Sequence, residues 1–113
     1  MAFHLNRSGA ARFLGQREAD IMEILWDDSP LSGKDIHFRL RIKQKLALTT
    51  VLTLLTRLVE KGHVIRTRPS RVHLYSAALA KTDFLEQRVG EIIRALKKDY
   101  PVQFKKAEAK RKK

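Results

Sequence analysis

Residues 48–62, LTTVLTLLTRLVEKG, hold the clearest periodicity in the chain and constrain what can surround them. Val51, Leu54, Leu55 and Leu58 recur at i, i+3, i+4 and i+7, the spacing of a helix with one buried stripe. Thr50, Thr53 and Arg57 recur at i, i+3 and i+7 on another face, shared roughly with Thr56 and Glu60. Thr49 is placed to cap the start, because its hydroxyl can accept from a free backbone N–H. Lys61 puts a cation in the last turn, and Gly62 supplies the left-handed residue that ends the helix. Four threonines within 49–56 are unusual in a helix, since β-branched side chains lose rotamer freedom there. Either they pack on a half-buried surface, or their hydroxyl and methyl groups suit a helix pressed against base edges. The flanks favour the second.

Charge is the first flank. The chain of 113 residues carries 24 basic and 12 acidic side chains, a formal +12. Such an excess favours a polyanionic partner, nucleic acid first and an anionic membrane surface second. The excess is local. Residues 34–73 hold ten basic residues against Asp35 and Glu60, and residues 105–113 hold six against Glu108. A folded segment rather than scattered lysines therefore carries most of it. Lys34, Lys43, Lys45 and His73 belong to that segment and are read as backbone-contacting groups.

The length suits one domain with a short appendage. Residues 16–26 read as the first helix, with Ile21, Met22, Ile24, Leu25 and Trp26 inward and Arg17, Asp20 and Glu23 toward water. Trp26 is read as a core anchor. Asp27 to Pro30 is a turn, and Leu31 a strand stub. Ser32 and Asp35 form a capping-box-like start to a second helix, with Ile36 and Leu40 inward. RIKQKL, 41–46, is a basic connector to the threonine-faced helix. Beyond Gly62 the period changes. Residues 64–68 and 72–76 read as two strands around a Pro69 turn, with Ile65, Val72 and Leu74 toward the core. Arg66, Arg68 and Arg71 cluster at the outer face and tip, as in a phosphate-contacting wing. A last helix over 83–99, with Thr82 as N-cap, carries Leu85, Val89, Ile92, Ile93 and Leu96 as an apolar stripe. Pro101 stops it. Lying outside the compact unit, that stripe must pack back or pair with another chain. The order helix, strand stub, helix, helix, wing is that of a winged helix-turn-helix, whose second motif helix lies in the major groove.

At this point the residues resemble a family. LGQREADIMEILWDDSPLSGKDIH and ALTTVLTLLTRLVEKGHVIRTRPSRVHLYSA are similar to the penicillinase-repressor (BlaI/MecI) family of bacterial transcription repressors. The most specific elements are the Glu-Ala-x-Ile-Met-x-x-Leu-Trp run ending at Trp26 and the Thr-Thr-Val-Leu-Thr run from Thr49 on to Leu58. Lys61-Gly62, the basic wing and Tyr75 add to them. The resemblance spans roughly residues 14–96. It implies a homodimer on a palindromic operator in double-stranded DNA, paired through C-terminal helices and controlled by a membrane sensor that triggers proteolysis. It assigns base reading to Thr49, Thr50, Thr53 and Arg57, and wing contacts to Arg66, Arg68 and Arg71. Two departures stand out. After Pro101 only VQFKK and a lysine-rich end remain where the family has a further helix, with Gln103-Phe104 as a vestige of the cleaved segment. No C-terminal cysteines match those of the copper-responsive relatives, so thiolate metal sensing is rejected.

The resulting expectation is a mainly α fold with a small β wing. Residues 1–14 form a flexible lead, 15–80 the winged-helix domain, 81–104 a dimerisation helix region and 105–113 a disordered basic tail. No catalytic or metal-ligand pattern is present: four scattered histidines, no phosphate loop, no nucleophile elbow, no cysteine. The expectation is a non-enzyme without a cofactor. The absence of cysteine and of a signal-peptide or membrane-spanning run fits a cytoplasmic protein. Two rivals to the repressor remain at this level. One is a winged-helix module for protein or RNA. The other is a basic architectural protein that coats DNA with steep salt dependence and little sequence preference.

Overall fold

The computed structural model describes residues 3–5 and 9–111. Helix α1 runs Gln16–Asp27, β1 Leu31–Ser32, α2 Gly33–Leu40, α3 Leu48–Glu60, β2 Val64–Thr67, β3 Leu74–Ala77, α4 Lys81–Asp99 and α5 Pro101–Arg111. Residues up to Lys81 make one compact unit, and those from Thr82 onward a second.

In the first unit the apolar stripes of three helices meet. Ile21, Met22, Leu25, Ile36, Leu40, Val51, Leu55 and Leu58 are the largest fully buried side chains. The three short strands pair antiparallel in the order β1-β3-β2. Leu31 lies opposite Tyr75, and Val64 opposite Ala77. Truncating Leu55 to alanine is expected to lower the unfolding free energy by about 2–5 kcal/mol, because it opens a cavity with little room to relax. The shift of the urea midpoint at unchanged slope measures this.

The helix ends show which local signals acted. Ser32 caps α2 as expected, its Oγ accepting from the Asp35 N–H at 3.1 Å. Gly62, at φ 81°, closes α3. His63 N–H donates to the Leu58 carbonyl and Gly62 N–H to the Val59 carbonyl, the paired bonds of a left-handed glycine cap. The start of α3 differs from expectation. Ala47 is the N-cap and makes no side-chain bond, so Thr49 sits inside the first turn. Likewise α4 begins at Lys81, which places Thr82 within the helix.

Several expectations from the sequence are corrected. Asp20 faces inward, at 8% exposure, not water. Ile65 and Val72 point out, at 51% and 53% exposure. Val64 takes the inward side of β2, so alternation turns Ile65 away. Val72 precedes β3 and lies outside the paired register. The N-terminal lead packs where it is described: Gly9–Arg12 is a 3-10 turn that buries Ala10 and Ala11. Leu14 is buried too, and the Phe3 and Phe13 rings lie 5.4 Å apart. Residues 1, 2 and 6–8 of that lead lie outside the described residues.

Pro101 stops α4 but opens α5. Proline fits a first helical position because it needs no N–H there. Residues 105–111, expected as a disordered tail, are helical, and residues 112 and 113 lie outside the described residues. A further helix therefore does follow Pro101, contrary to the expectation from the sequence.

Candidate nucleic-acid interface

The outward side of α3 is built by subtraction. Once Val51, Leu54, Leu55 and Leu58 are buried, Thr49, Leu52, Thr53, Thr56 and Arg57 remain exposed, and Thr50 is half-buried. Beside the start of α3, Ser32 of β1, Gly33 and Lys34 of α2, and Val72, His73 and Tyr75 of the wing line an open groove with Leu48 and Leu52. Lys34 and the half-buried His73 are thereby brought to the end of α3 that enters the groove in helix-turn-helix proteins. Arg57 lies at the other end, in a hollow with Arg17, Glu18 and Lys61.

The connector between α2 and α3 is pinned at two points. Gln44 donates from Nε2 to Asp20 Oδ2 at 2.5 Å, and Gln16 donates to the other oxygen, Oδ1, at 2.9 Å. His37 donates from Nε2 to the Leu46 carbonyl at 2.7 Å. Two amide donors satisfy a buried carboxylate, which would otherwise cost heavily to desolvate. Lys43 and Lys45 project from this anchored segment, both exposed. Sequence reasoning missed the inward turn of Asp20 because the partner that draws it toward the connector, Gln44, is 24 residues away.

Ion pairing sorts the cations. Arg39 pairs with Asp28 at 2.8 Å, and Lys61 with the buried Glu18 at 2.9 Å. Arg41 stacks over the Phe38 ring at 3.7 Å. Among the described residues, Lys34, Lys43, Lys45, Arg57, Arg66, Arg68 and Arg71 are exposed and enter no ion pair. These are the cations the sequence assigned to base and backbone contacts. Neutralised cations hold the fold; unneutralised ones leave a positive surface for a polyanion. No group of metal-ligating side chains occurs among the described residues, and no described helix is long and apolar enough to cross a membrane.

Comparison with known proteins places the chain in a family. The sequence profile described as Penicillinase repressor matches residues 14–107. The chain belongs to the penicillinase repressor family. Two curated relatives, each a "Transcriptional regulator BlaI" from Mycobacterium tuberculosis (strains CDC 1551 / Oshkosh and ATCC 25618 / H37Rv), are 38% identical to it over 64 residues. The match takes in 56% of this chain and 46% of each relative, so the chain spans about half the length of the curated relatives it matches. Both relatives are transcriptional regulators by name. Among solved structures, the monomeric BlaI of Bacillus licheniformis in complex with the blaP half-operator superposes with TM-score 0.54 at 23% identity, over 62% of this chain and 85% of that one. The DNA-binding domain of the repressor BlaI gives TM-score 0.54 at 22% identity, over 74% and 93%. The complex structure of hsRosR-S1 gives 0.57 at 19% identity, over 93% and 100%. At these identities the likeness is one of fold, the winged helix.

Proposed function

We propose that this chain is a transcriptional repressor that binds a palindromic operator as a homodimer, with α3 in the major groove and the β2–β3 wing on the sugar–phosphate backbone. Thr49, Thr50, Thr53 and Arg57 face the bases. Lys34, Lys43, Lys45, Arg66, Arg68, Arg71 and His73 face the backbone. The observation that carries the reading is the set of exposed, unpaired cations around a threonine-faced helix. Phosphate contacts position such a protein and base contacts specify its site. A single recognition helix buries too little for tight specific binding, so two half-sites about one helical turn apart are expected.

The apolar groove on α4 supports pairing. Leu85, Val89 and Ile93 line it with Thr82, Glu86 and Gly90. Val89, Ile93 and Leu96 are 47%, 37% and 40% exposed, which is costly to leave in water along one helix face. Ile92 is half-buried. Proteolytic control at Gln103-Phe104, implied by the family, would act inside α5. Nicking favours exposed loops, so such cleavage requires α5 to unwind first.

Selection of bound sites from random duplex, followed by sequencing, tests the reading. A palindromic consensus is expected. Binding with steep salt dependence and no consensus would instead mark an architectural coater.

Helix α5 adds a separate expectation. Lys105, Lys106, Lys110 and Arg111 lie along it, balanced only by Glu108. Deleting residues 105–113 is expected to flatten the salt dependence by roughly 0.9 in log–log slope for each phosphate that α5 would have neutralised. The ranking of operator variants stays the same. A changed ranking would show that α5 reads sequence.

A further inference from the structure

Two exposed threonines of α3 spend their hydroxyl hydrogens inside the helix and turn their methyl groups outward. Thr53 donates its hydroxyl to the Thr49 carbonyl at 2.9 Å, and Thr56 donates to the Leu52 carbonyl at 3.0 Å. A threonine hydroxyl has one hydrogen to give. Spending it on the carbonyl one turn back folds the oxygen against the helix and leaves the Cγ2 methyl as the projecting group. Leu52, at 37% exposure, shares this surface. With 3.6 residues per turn, Leu52, Thr56, Thr49 and Thr53 fall within roughly a 100° arc. Leu52 is seated against Gly33 of α2, where even a Cβ would come within 2.6 Å of its Cδ2.

The rest of the helix narrows the choice of base. LTTVLTLLTRLVE contains no Asn, Gln or Lys. The paired amide contact that reads adenine is therefore unavailable on α3, and Arg57 is its one side chain able to grip guanine with two donors. Thr49 keeps an uncommitted hydroxyl. The projecting methyl groups of this arc, with Leu52, complement the C5-methyl group of thymine. Lys34, exposed and in no ion pair, lies beside the start of α3, where it favours the surrounding phosphates.

We infer that Leu52, Thr53 and Thr56 select thymine in each half-site by burying its C5-methyl group. This rests on the reading of α3 as the groove-entering helix and names the base that the helix prefers. Deoxyuridine differs from thymidine by that methyl alone. In the site selected from random duplex, each thymidine is replaced in turn by deoxyuridine and binding is titrated. At one or more positions per half-site the replacement weakens binding about fourfold, the expected effect of one buried carbon group. Thr53→Ser and Thr56→Ser keep the hydroxyl and its back-bond but remove the methyl, and Leu52→Ala removes the isobutyl tip. At least one of these variants erases the sensitivity at its position. Thr53→Val keeps the methyl and retains the sensitivity to deoxyuridine at its position. A selected consensus that tolerates deoxyuridine everywhere overturns the inference while the repressor reading stands. So does sensitivity that survives all three methyl-removing variants. If no consensus is selected, the repressor reading fails and this inference fails with it.

Discussion

Ile93→Asp is expected to turn the proposed dimer into monomers and to weaken operator binding by on the order of 100-fold or more, because linking two half-site contacts raises apparent affinity by roughly 10²–10⁴. Ile93 lines the apolar groove of α4 at 37% exposure, whereas Ile92 is half-buried. A change at Ile93 therefore disturbs the proposed interface more than the subunit itself. A carboxylate there would have to be buried unpaired on association, at a cost far above that of an exposed charge. Light scattering at micromolar concentration reads the oligomeric state, and titration against full and half operators reads the loss. Affinity for a single half-site is expected to stay at the wild-type level. A wild type that is monomeric both free and on DNA would sink the pairing proposal, as would an Ile93→Asp protein that remains dimeric.

Removing the wing arginines is expected to act differently. Arg66, Arg68 and Arg71 are exposed, and among the described residues none is in an ion pair, so alanine at all three leaves the fold intact. Each guanidinium removed from a phosphate lowers the log–log salt slope by roughly 0.9, which is about eightfold in affinity at 0.1 M salt. The triple variant is thus expected to bind about 500-fold more weakly, to operator and random duplex alike. Binding measured at several salt concentrations separates the alternatives. A changed preference at one base pair would place the wing in a groove as a reader. An unchanged slope would take it off the DNA altogether.

The two predictions draw on opposite ends of what the amino-acid order makes visible. The α3 stripe, the Ser32 cap and the Gly62 closure are legible because each is set by residues within a turn or two of one another. The same holds for the apolar spacing along α4 and for the exposed wing arginines. Proline is legible only in part: it ends one helix and opens the next, and the residues before it cannot say whether a further helix follows.

The order of amino acids by itself determined that the α1, α2, α3 and α4 segments become helices, where their core stripes lie, and that a basic, threonine-faced helix is followed by a wing. Helical period, capping and turn chemistry are local, so they survive without knowledge of the partner surfaces. Only the tertiary structure decided which polar groups are withdrawn from solvent and which cations are left over. Lys61 is neutralised by Glu18, 43 positions away, and Asp20 is used to anchor Gln44. Ile65 is turned outward because Val64 takes the inward side of the edge strand. These outcomes depend on packing α1 against the connector and the end of α3, and burial makes an unpaired charge too costly to leave alone. The same packing leaves Lys34, Lys43, Lys45, Arg57 and the wing arginines unpaired, and that remainder is the proposed DNA-binding surface.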